Sequence, residues 1–284
     1  MAMNKRNPSG NDWRAWVSFY KQDYENRKRI HQLRKFIEDK IAIGSMSGGT
    51  HTRLGYSQFL PELAEYLLTH WSKEGDEVLD CFAGRTRAII SRLHNRNYTG
   101  YEIAPNAYKL ITNRIDCRKT LLNTETVINI INADSHTISD ENKYDFIMTC
   151  PPYFNIEKYD SVPNQLSDYS DYYQFLLRIT EIYKKCHTAL KNDRFAVFVV
   201  GDFRIDGKFH TFGLDTVNCL KKAGFEIWDF IVREINCNVS VRLLQSMSFR
   251  RTVKKHEYVI VAVKGDGKRA ADRLVNKKSE VDWL

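Results

Sequence analysis

The sequence contains no apolar run that approaches the roughly 20 residues needed for a transmembrane helix. Hydrophobic residues make up 43% of the 284 positions and charged residues 27%, a composition typical of globular proteins with a sizeable core. The first ten residues also lack the apolar stretch of a secretory signal. These absences argue against a membrane-spanning or secreted protein, and we expect the chain to be cytoplasmic.

The cysteines are scattered, and no two of them form a Cys-x-x-Cys pair. A disulfide framework or a zinc site needs closely paired cysteines, so the spacing argues against both and fits a reducing compartment. The six cysteines stand at positions 81, 117, 150, 186, 219 and 237. We therefore predict no metal site.

Helical and strand patterns alternate from residue 58 onward. Helices are predicted at 60–71, 86–95, 105–115, 171–190 and 213–223. Strands are predicted at 76–82, 98–103, 127–132, 144–149, 194–200, 226–232 and 257–263. Runs such as FAVFVV and YVIVAV are typical of strands that are buried on both faces. The pattern predicts an α/β fold with a doubly wound, mostly parallel seven-stranded sheet, in which the last strand pairs antiparallel because it follows another strand.

Three parts are predicted along the chain. Residues 1–57 form a helical extension and a flexible loop, since apolar residues recur at helical spacing over 12–42 and Gly, Ser and Thr crowd 44–57. Residues 58–265 form the α/β domain, and 266–284 form a C-terminal tail.

The loop after the first strand lacks the G-x-G-x-x-G pattern that brings backbone amides against a pyrophosphate. It carries only Gly84, and it places Asp80 at the end of the strand. A carboxylate there repels a diphosphate and suits a ligand with positive charge and no phosphate. S-adenosylmethionine, with its ammonium and sulfonium groups, is such a ligand.

Carboxylates also follow the next two strands. Glu102 ends the second strand, where an acidic residue can accept hydrogen bonds from ribose hydroxyls. Asp134 follows the third strand and is a candidate for holding an adenine amine. Since ligands of open α/β sheets bind beyond the carboxyl ends of the strands, the three acidic residues together favour one cofactor site.

The fourth predicted strand ends in Thr149-Cys150-Pro151-Pro152-Tyr153. Proline lacks an N–H and fixes its φ angle, so the two prolines end the strand and present rigid carbonyl oxygens at the edge where the cofactor is expected.

At this point the sequence resembles the amino-methyltransferases of DNA, which make N4-methylcytosine or N6-methyladenine. Their motifs are Asp-x-Phe-x-Gly after strand one and [Ser/Asp/Asn]-Pro-Pro-[Tyr/Phe/Trp] after strand four. This chain has DCFAG at 80–84 and CPPY at 150–153, and the resemblance covers roughly residues 50–265. It implies a Rossmann-like methyltransferase fold, S-adenosylmethionine as cofactor and DNA as substrate, in a protein encoded by a bacterium or a phage.

The resemblance also implies roles for individual residues. The segment YSQFLPELAEYLLTHW is similar to the family's helix that closes over the methionine end of the cofactor. The implied cofactor-binding residues are Ser57, Pro61, Asp80, Phe82, Gly84, Glu102, Ile103 and Asp134. The implied catalytic residues are Cys150, Pro151, Pro152 and Tyr153. The Pro151 carbonyl and the Cys150 side chain accept the hydrogens of the target amine, and Tyr153 stacks on the extruded base.

Two positions depart from the family pattern. The usual Gly-Ser-Gly is here the bulkier, more basic Gly84-Arg85-Thr86-Arg87. The first catalytic position is Cys150, where Ser, Asp or Asn is usual; a small neutral thiol is closer to Ser, and this favours cytosine N4 as the target. Adenine N6, an RNA or protein substrate, and a DNA-binding relative without activity stay open as alternatives.

The net charge of +8 is compatible with a polyanionic partner. Basic residues cluster at 27–35 and at 242–255. In the second cluster the candidate DNA-binding residues are Arg242, Arg250, Arg251, Lys254 and Lys255. We expect double-stranded DNA as partner; binding to single strands, a homodimer and a cognate restriction endonuclease stay open.

Overall fold

A computed structural model of the protein describes residues 59–116, 125–157, 159–235, 249–251, 254 and 256–275. The helices are α1 Pro61–Trp71, α2 Arg85–Leu93, α3 Pro105–Asp116, α4 Tyr172–Ala189, α5 Phe212–Ala223 and α6 Gly267–Leu274. The strands are β1 Glu77–Asp80, β2 Asn97–Tyr101, β3 Ile128–Ile131, β4 Phe146–Thr149, β5 Arg194–Val200, β6 Phe203–Ile205, β7 Lys208–His210, β8 Glu226–Glu234 and β9 His256–Lys264. The helix predicted at 12–42 lies outside the described residues.

Seven strands form one sheet in the order β3-β2-β1-β4-β5-β9-β8. Strands β1 to β5 pair in parallel, and β9 is antiparallel to both of its neighbours. The predicted doubly wound, mostly parallel sheet with an antiparallel last strand is confirmed. The buried apolar side chains of β4 and β5 lie at its centre, where helices cover both faces.

The sheet reverses its strand order between β1 and β4. From β1 the chain proceeds outward through β2 and β3, and it then returns to place β4 on the other side of β1. The loops that follow β1 and β4 therefore leave the same edge of the sheet in opposite directions. Such a point is where open α/β sheets form a ligand crevice.

Local sequence signals explain several helix ends. The Asp171 side chain accepts a 2.8 Å hydrogen bond from the Gln174 amide and so caps the start of α4. At the other end of the next helix, α5 stops at Gly224, whose φ of 103° is accessible to glycine without strain. None of the described helices is long and apolar enough to cross a membrane.

Two elements were not predicted. Strands β6 and β7 form a separate antiparallel hairpin after β5. Residues 267–274, within the predicted C-terminal tail, form helix α6, capped by Asp266. Arg273 of this helix pairs with Asp76 just before β1, so α6 is fastened to the parallel part of the sheet.

Candidate active site

A cavity of about 600 Å³ opens at the carboxyl edge of the sheet. Its wall begins at the residues before and within α1, continues over the loop after β1 and the ends of β2 and β3, and reaches the loop after β4. The Asp-x-Phe-x-Gly loop and the Cys-Pro-Pro-Tyr loop thus share one continuous cavity. The topological reversal between β1 and β4 is the physical reason for this arrangement.

Asp80 has a different position from the one expected. Its side chain is fully buried and does not belong to the cavity wall. The Oδ2 atom accepts hydrogen bonds of 2.6 Å from the Arg87 Nε and from the Tyr98 hydroxyl. The Oδ1 atom accepts bonds from the Thr149 hydroxyl at 2.7 Å and from the Phe82 amide at 3.1 Å. The carboxylate therefore organises the loop from within and leaves no face for a ligand.

The unusual residue Arg87 is the cause of this difference. Its side chain is 4% exposed and turns back beneath its own loop, where it forms an ion pair with Asp80. Its Nη2 donates a 2.6 Å hydrogen bond to the Phe82 carbonyl. A side chain on Gly84 would stand 2.8 Å from the Arg87 Cζ, so glycine is needed there to admit the guanidinium.

Glu102 lies in the cavity wall, as expected. One carboxylate oxygen accepts a 2.8 Å hydrogen bond from the Ala104 amide. Among the described residues no donor reaches the other oxygen. Burial raises the pKa of Glu102 to about 7, well above the ordinary value for a glutamate. The Glu102 carboxylate can therefore accept a hydrogen bond from a ligand in the cavity, and the charge of this carboxylate changes near neutral pH.

Asp134 also lies in the cavity wall. Its Oδ1 caps the short 3₁₀ turn Ser135–Thr137 by accepting from the His136 amide at 2.9 Å. Its Oδ2 forms an ion pair with Arg178 of α4. Each oxygen keeps a further lone pair for a ligand donor.

The other predicted cofactor residues divide into three groups. Phe82, Gly84 and Ile103 line the cavity. Pro61 does not, although its neighbours Leu60 and Glu62 do, because it is the first residue of α1. Ser57 lies outside the described residues.

Cys150, Pro151, Pro152 and Tyr153 line the same cavity. Strand β4 ends at Thr149, and both prolines are buried. Cys150 carries a free thiol, and burial raises the pKa of this thiol to about 12. It is therefore neutral at physiological pH and is a poor covalent nucleophile.

Tyr153 is held by side chains that the sequence reasoning missed. Its hydroxyl lies 3.4 Å from the carboxylate of Glu257, which forms a 2.6 Å ion pair with Arg233. The Lys254 ammonium lies 5.4 Å from the centre of the Tyr153 ring. Arg233 and Glu257 lie on β8 and β9, and they reach the cavity because of the order of the strands in the sheet. The local sequence around each residue therefore does not indicate that it lines the cavity.

The segment after the Cys-Pro-Pro-Tyr loop also lines the cavity and contacts the start of α3. The Tyr159 hydroxyl donates a 2.8 Å hydrogen bond to Glu157, and both residues line the cavity. Asp160 accepts bonds of 2.7 Å from the Asn106 amide and 2.8 Å from the Asn106 side chain. These contacts fasten the segment to the start of α3.

The predicted DNA-binding residues are placed only in part. Arg250 and Arg251 are exposed, and Arg251 lies 5.0 Å above the ring of Phe249, which is 65% exposed. Lys254 differs from expectation: it is half-buried beside Tyr153, and this burial lowers its pKa. Arg242 and Lys255 lie outside the described residues.

The chain matches one known protein family over most of its length. The family model described as DNA methylase, of the N6 and N4 type, matches residues 4–113 and 144–282. No curated protein matches the chain in sequence.

Solved structures match the chain to different extents. The cyclase SpnF is 12% identical, with a TM-score of 0.50 over 73% of this chain and 82% of its own. A SAM-dependent methyltransferase from Methanosarcina mazei is 16% identical, with a TM-score of 0.49 over 74% and 99% of the two chains. A proposed DNA modification methylase from Thermus thermophilus, solved with S-adenosylmethionine, is 22% identical, with a TM-score of 0.36 over 48% and 54%. At these identities the likeness concerns the fold alone.

The family model spans most of the chain and includes both loops that meet in the cavity. The protein therefore belongs to the N6/N4 DNA methylase family, the S-adenosylmethionine-dependent enzymes that methylate exocyclic amines of DNA bases.

Proposed function

We propose that this protein transfers a methyl group to the N4 amine of a cytosine that has been extruded from DNA. The observation that carries the proposal is the continuous cavity, in which Glu102 and Asp134 line one part and Cys150 to Tyr153 line another. A cofactor and a base bound in such a cavity are neighbours, as a direct transfer requires.

The residues present fit S-adenosylmethionine. Glu102 offers a free carboxylate oxygen suited to ribose hydroxyls, and Asp134 offers lone pairs suited to the adenine amine. The apolar side chains of Phe82 and Ile103 line the same cavity and suit the flat aromatic ring of the adenine. When bound, the cofactor supplies an electrophilic methyl group on its sulfonium.

The Pro151 carbonyl orients the target amine. The lone pair of an aromatic amine is conjugated into its ring, so the amine attacks poorly unless its hydrogens are held and the lone pair is directed at the methyl group. A carbonyl oxygen next to a second proline has little conformational freedom and can accept one of those hydrogens. After transfer the nitrogen is acidic and loses its proton to water, so no dedicated base is required.

Cys150 supports cytosine as the target. Its neutral thiol resembles the serine of the Ser-Pro-Pro-Tyr enzymes more than the aspartate of the Asp-Pro-Pro-Tyr enzymes. As a weak acceptor it assists the second hydrogen of the amine without adding charge to the site.

Tyr153 is the stacking platform for the extruded base. Removing a base from the duplex costs a few kcal/mol, and stacking on an aromatic ring returns about 1–3 kcal/mol. The ring is already fixed by an edge contact with Phe212, with centroids 5.9 Å apart, so little conformational freedom is lost when the base binds.

The exposed pair Arg250 and Arg251 is suited to the phosphates that flank the extruded base. Both residues precede β9, whose Glu257 reaches the cavity, and neither lies in the cavity wall. Arginine side chains in this position hold backbone phosphates and fix the register of the duplex.

Mass spectrometry of nucleosides from DNA treated with the enzyme and S-adenosylmethionine tests the choice of base. We expect N4-methylcytosine. Formation of N6-methyladenine alone overturns the cytosine assignment and leaves the adenine alternative. Binding of cofactor and DNA without any transfer identifies a relative that has lost activity.

A further inference from the structure

The wall of the cavity contains an ion pair that the transfer of the methyl group does not itself require. Arg233 and Glu257 both line the cavity, together with Cys150 and Tyr153. They stand directly opposite each other on β8 and β9, and the Arg233 Nη1 donates a 2.6 Å hydrogen bond to the Glu257 Oε2. Because β8 ends and β9 begins at the edge of the sheet where β5 ends, the strand pairing brings both side chains to the cavity.

The ion pair lies at the hydroxyl end of Tyr153. The Glu257 Oε1 is 3.4 Å from the Tyr153 hydroxyl, and the Oε2 of the same carboxylate bonds to Arg233. A single carboxylate therefore separates the guanidinium from the hydroxyl. Since the Tyr153 ring is the proposed stacking surface, the guanidinium stands beside the edge of a base that stacks on it.

Arg233 keeps hydrogen-bond donors for such a base. Its side chain is 20% exposed and that of Glu257 is 22% exposed, so the strands do not enclose the pair. Within the part of the chain that the structure describes, Nη1 is the one nitrogen of Arg233 with an acceptor. The Nε and Nη2 groups form the side of the guanidinium that can donate two parallel hydrogen bonds.

Cytosine and adenine differ at the edge that such a pair of donors can distinguish. Next to its amine, cytosine has two neighbouring acceptors, N3 and O2, whereas adenine has the acceptor N1 followed by a C–H group. Two parallel donors match the cytosine edge. Against adenine one donor faces a C–H group, and a site that leaves a buried polar group unpaired rejects that base strongly.

We propose that Arg233 determines specificity by donating hydrogen bonds to N3 and O2 of the extruded cytosine, and that Glu257 is a positioning residue that holds its guanidinium. This inference rests on the proposed function and names the side chain that reads the base. An ion pair that is about one-fifth exposed contributes little to stability, so variants at both positions should fold.

Methyl transfer to two bases that differ at O2 tests the proposal. The probes are duplexes with the sequence that the wild-type protein methylates, carrying either cytosine or a 2-aminopyridine C-nucleoside at the target position. The analogue keeps the amine and the adjacent ring nitrogen but has a C–H group in place of the O2 carbonyl. In buffer basic enough to keep that nitrogen unprotonated, the wild-type protein should methylate cytosine about 10- to 100-fold faster in a single turnover.

Two arginine variants make the result specific. Arg233→Lys keeps the charge and a partner for Glu257 but lacks the planar pair of donors, so it should lose most of the preference for cytosine over the analogue. Arg194→Gln is the matched control. Arg194 is 21% exposed, pairs with Asp145 and lies outside the cavity wall, so this variant should keep the wild-type rate and preference. Asp145 retains Lys191 as a partner in the control.

The role of Glu257 has its own comparison. Glu257→Gln keeps an oxygen that can accept from Arg233 and should retain most of the preference for cytosine. Glu257→Ala leaves the guanidinium without a partner and should lose it. Calorimetry of S-adenosylmethionine binding checks that each variant is folded. A preference that is unchanged in Glu257→Ala contradicts the positioning role.

The outcomes separate this inference from the proposed function. Equal transfer to both bases by the wild-type protein overturns the role of Arg233 and leaves cytosine methylation intact, and this comparison needs no variant. A preference that survives undiminished in Arg233→Lys also overturns that role. Formation of N6-methyladenine alone, or no transfer to DNA at all, overturns the proposed function and this inference with it.

Discussion

The hydroxyl of Thr149, the last residue of β4, donates a 2.7 Å hydrogen bond to the carboxylate of Asp80, the last residue of β1. Both side chains are fully buried. The bond crosses the point at which the sheet reverses its order, so it joins the strand that leads into the Asp-x-Phe-x-Gly loop to the strand that leads into the Cys-Pro-Pro-Tyr loop. The relative position of the two loops therefore depends on it.

Replacing Thr149 by valine should weaken both the fold and the reaction. The shape is kept, but a buried carboxylate loses a donor, which predicts a decrease of about 1–3 kcal/mol in the free energy of unfolding. Urea denaturation measures this decrease, and steady-state kinetics should show a lower kcat as the loops shift. As a control, Thr180→Val removes a buried hydroxyl that bonds within α4, and it should leave kcat unchanged.

Cofactor affinity should depend on pH through Glu102. Its pKa of about 7 means that the carboxyl of the free protein is half protonated near neutrality. Ribose hydroxyls donate to the ionised form, so affinity is full above this pKa and is lost as the pH falls through it, about tenfold between pH 8 and pH 6.

Calorimetry of S-adenosylmethionine binding across this range, repeated with Glu102→Gln, isolates the effect from titration of the ligand's own amine. The variant should bind more weakly at pH 8 and lose the Glu102 contribution to the pH dependence. A pH dependence identical in the two proteins contradicts the role given to Glu102.

Cys150 should be replaceable by serine. A thiol with a pKa of about 12 is protonated in the working enzyme, so it acts through weak hydrogen bonding. We expect Cys150→Ser to keep or raise the kcat, because a hydroxyl accepts hydrogen bonds better, and Cys150→Ala to lower it by about tenfold at most. Complete loss of activity in Cys150→Ser, or a covalent adduct with DNA, points instead to a nucleophilic cysteine.

The ring of Tyr153 should matter more than its hydroxyl. The hydroxyl makes a long contact of 3.4 Å with Glu257 and a weak hydrogen bond with the Cys150 side chain, so Tyr153→Phe should stay within about threefold of the wild-type kcat/KM. Tyr153→Ala removes the stacking surface and should lower kcat/KM for DNA by roughly 10- to 100-fold. As a control, calorimetry should find that Tyr153→Phe binds the cofactor with unchanged affinity. If Tyr153→Phe and Tyr153→Ala lower kcat/KM equally, the ring does not act by stacking on the base.

Arg250 and Arg251 should carry part of the salt dependence of DNA binding. Each phosphate contact contributes about 0.9 to the slope of log affinity against log salt, so Arg250→Ala/Arg251→Ala should flatten that slope by up to about 1.8. Lys221→Ala/Lys222→Ala is the matched control. Those exposed lysines end α5, which leads into β8 at the opposite edge of the sheet, and the slope should not change.

The sequence predicted the sheet because β4, β5 and β9 are largely apolar runs, which is typical of strands that are buried on both faces. The two prolines also predicted that the fourth strand ends at Thr149, because proline ends a strand wherever that strand lies. The sequence did not predict hairpin β6–β7, whose strands have three residues each, or α6, which has only eight residues. The packing of α6 against the sheet depends on an ion pair between Arg273 and Asp76, two residues that lie far apart in the sequence.

The position of a side chain was predicted where it depends only on the end of one strand. It was not predicted where side chains from several elements contact one another. Glu102 and Asp134 follow their strands into the cavity as expected. Asp80 does not, because Arg87, seven residues later in the first turn of α2, forms an ion pair with it beneath the loop. Glu257 and Arg233 reach Tyr153 through the pairing of β8 with β9, which no local pattern reveals.

Transfer of a labelled methyl group from S-adenosylmethionine, measured in parallel on DNA, RNA and protein, tests the account most directly. We predict that the label enters DNA, and that hydrolysis to nucleosides recovers it on an exocyclic amine. Label found only in RNA or protein, or only on carbon 5 of cytosine, contradicts the account.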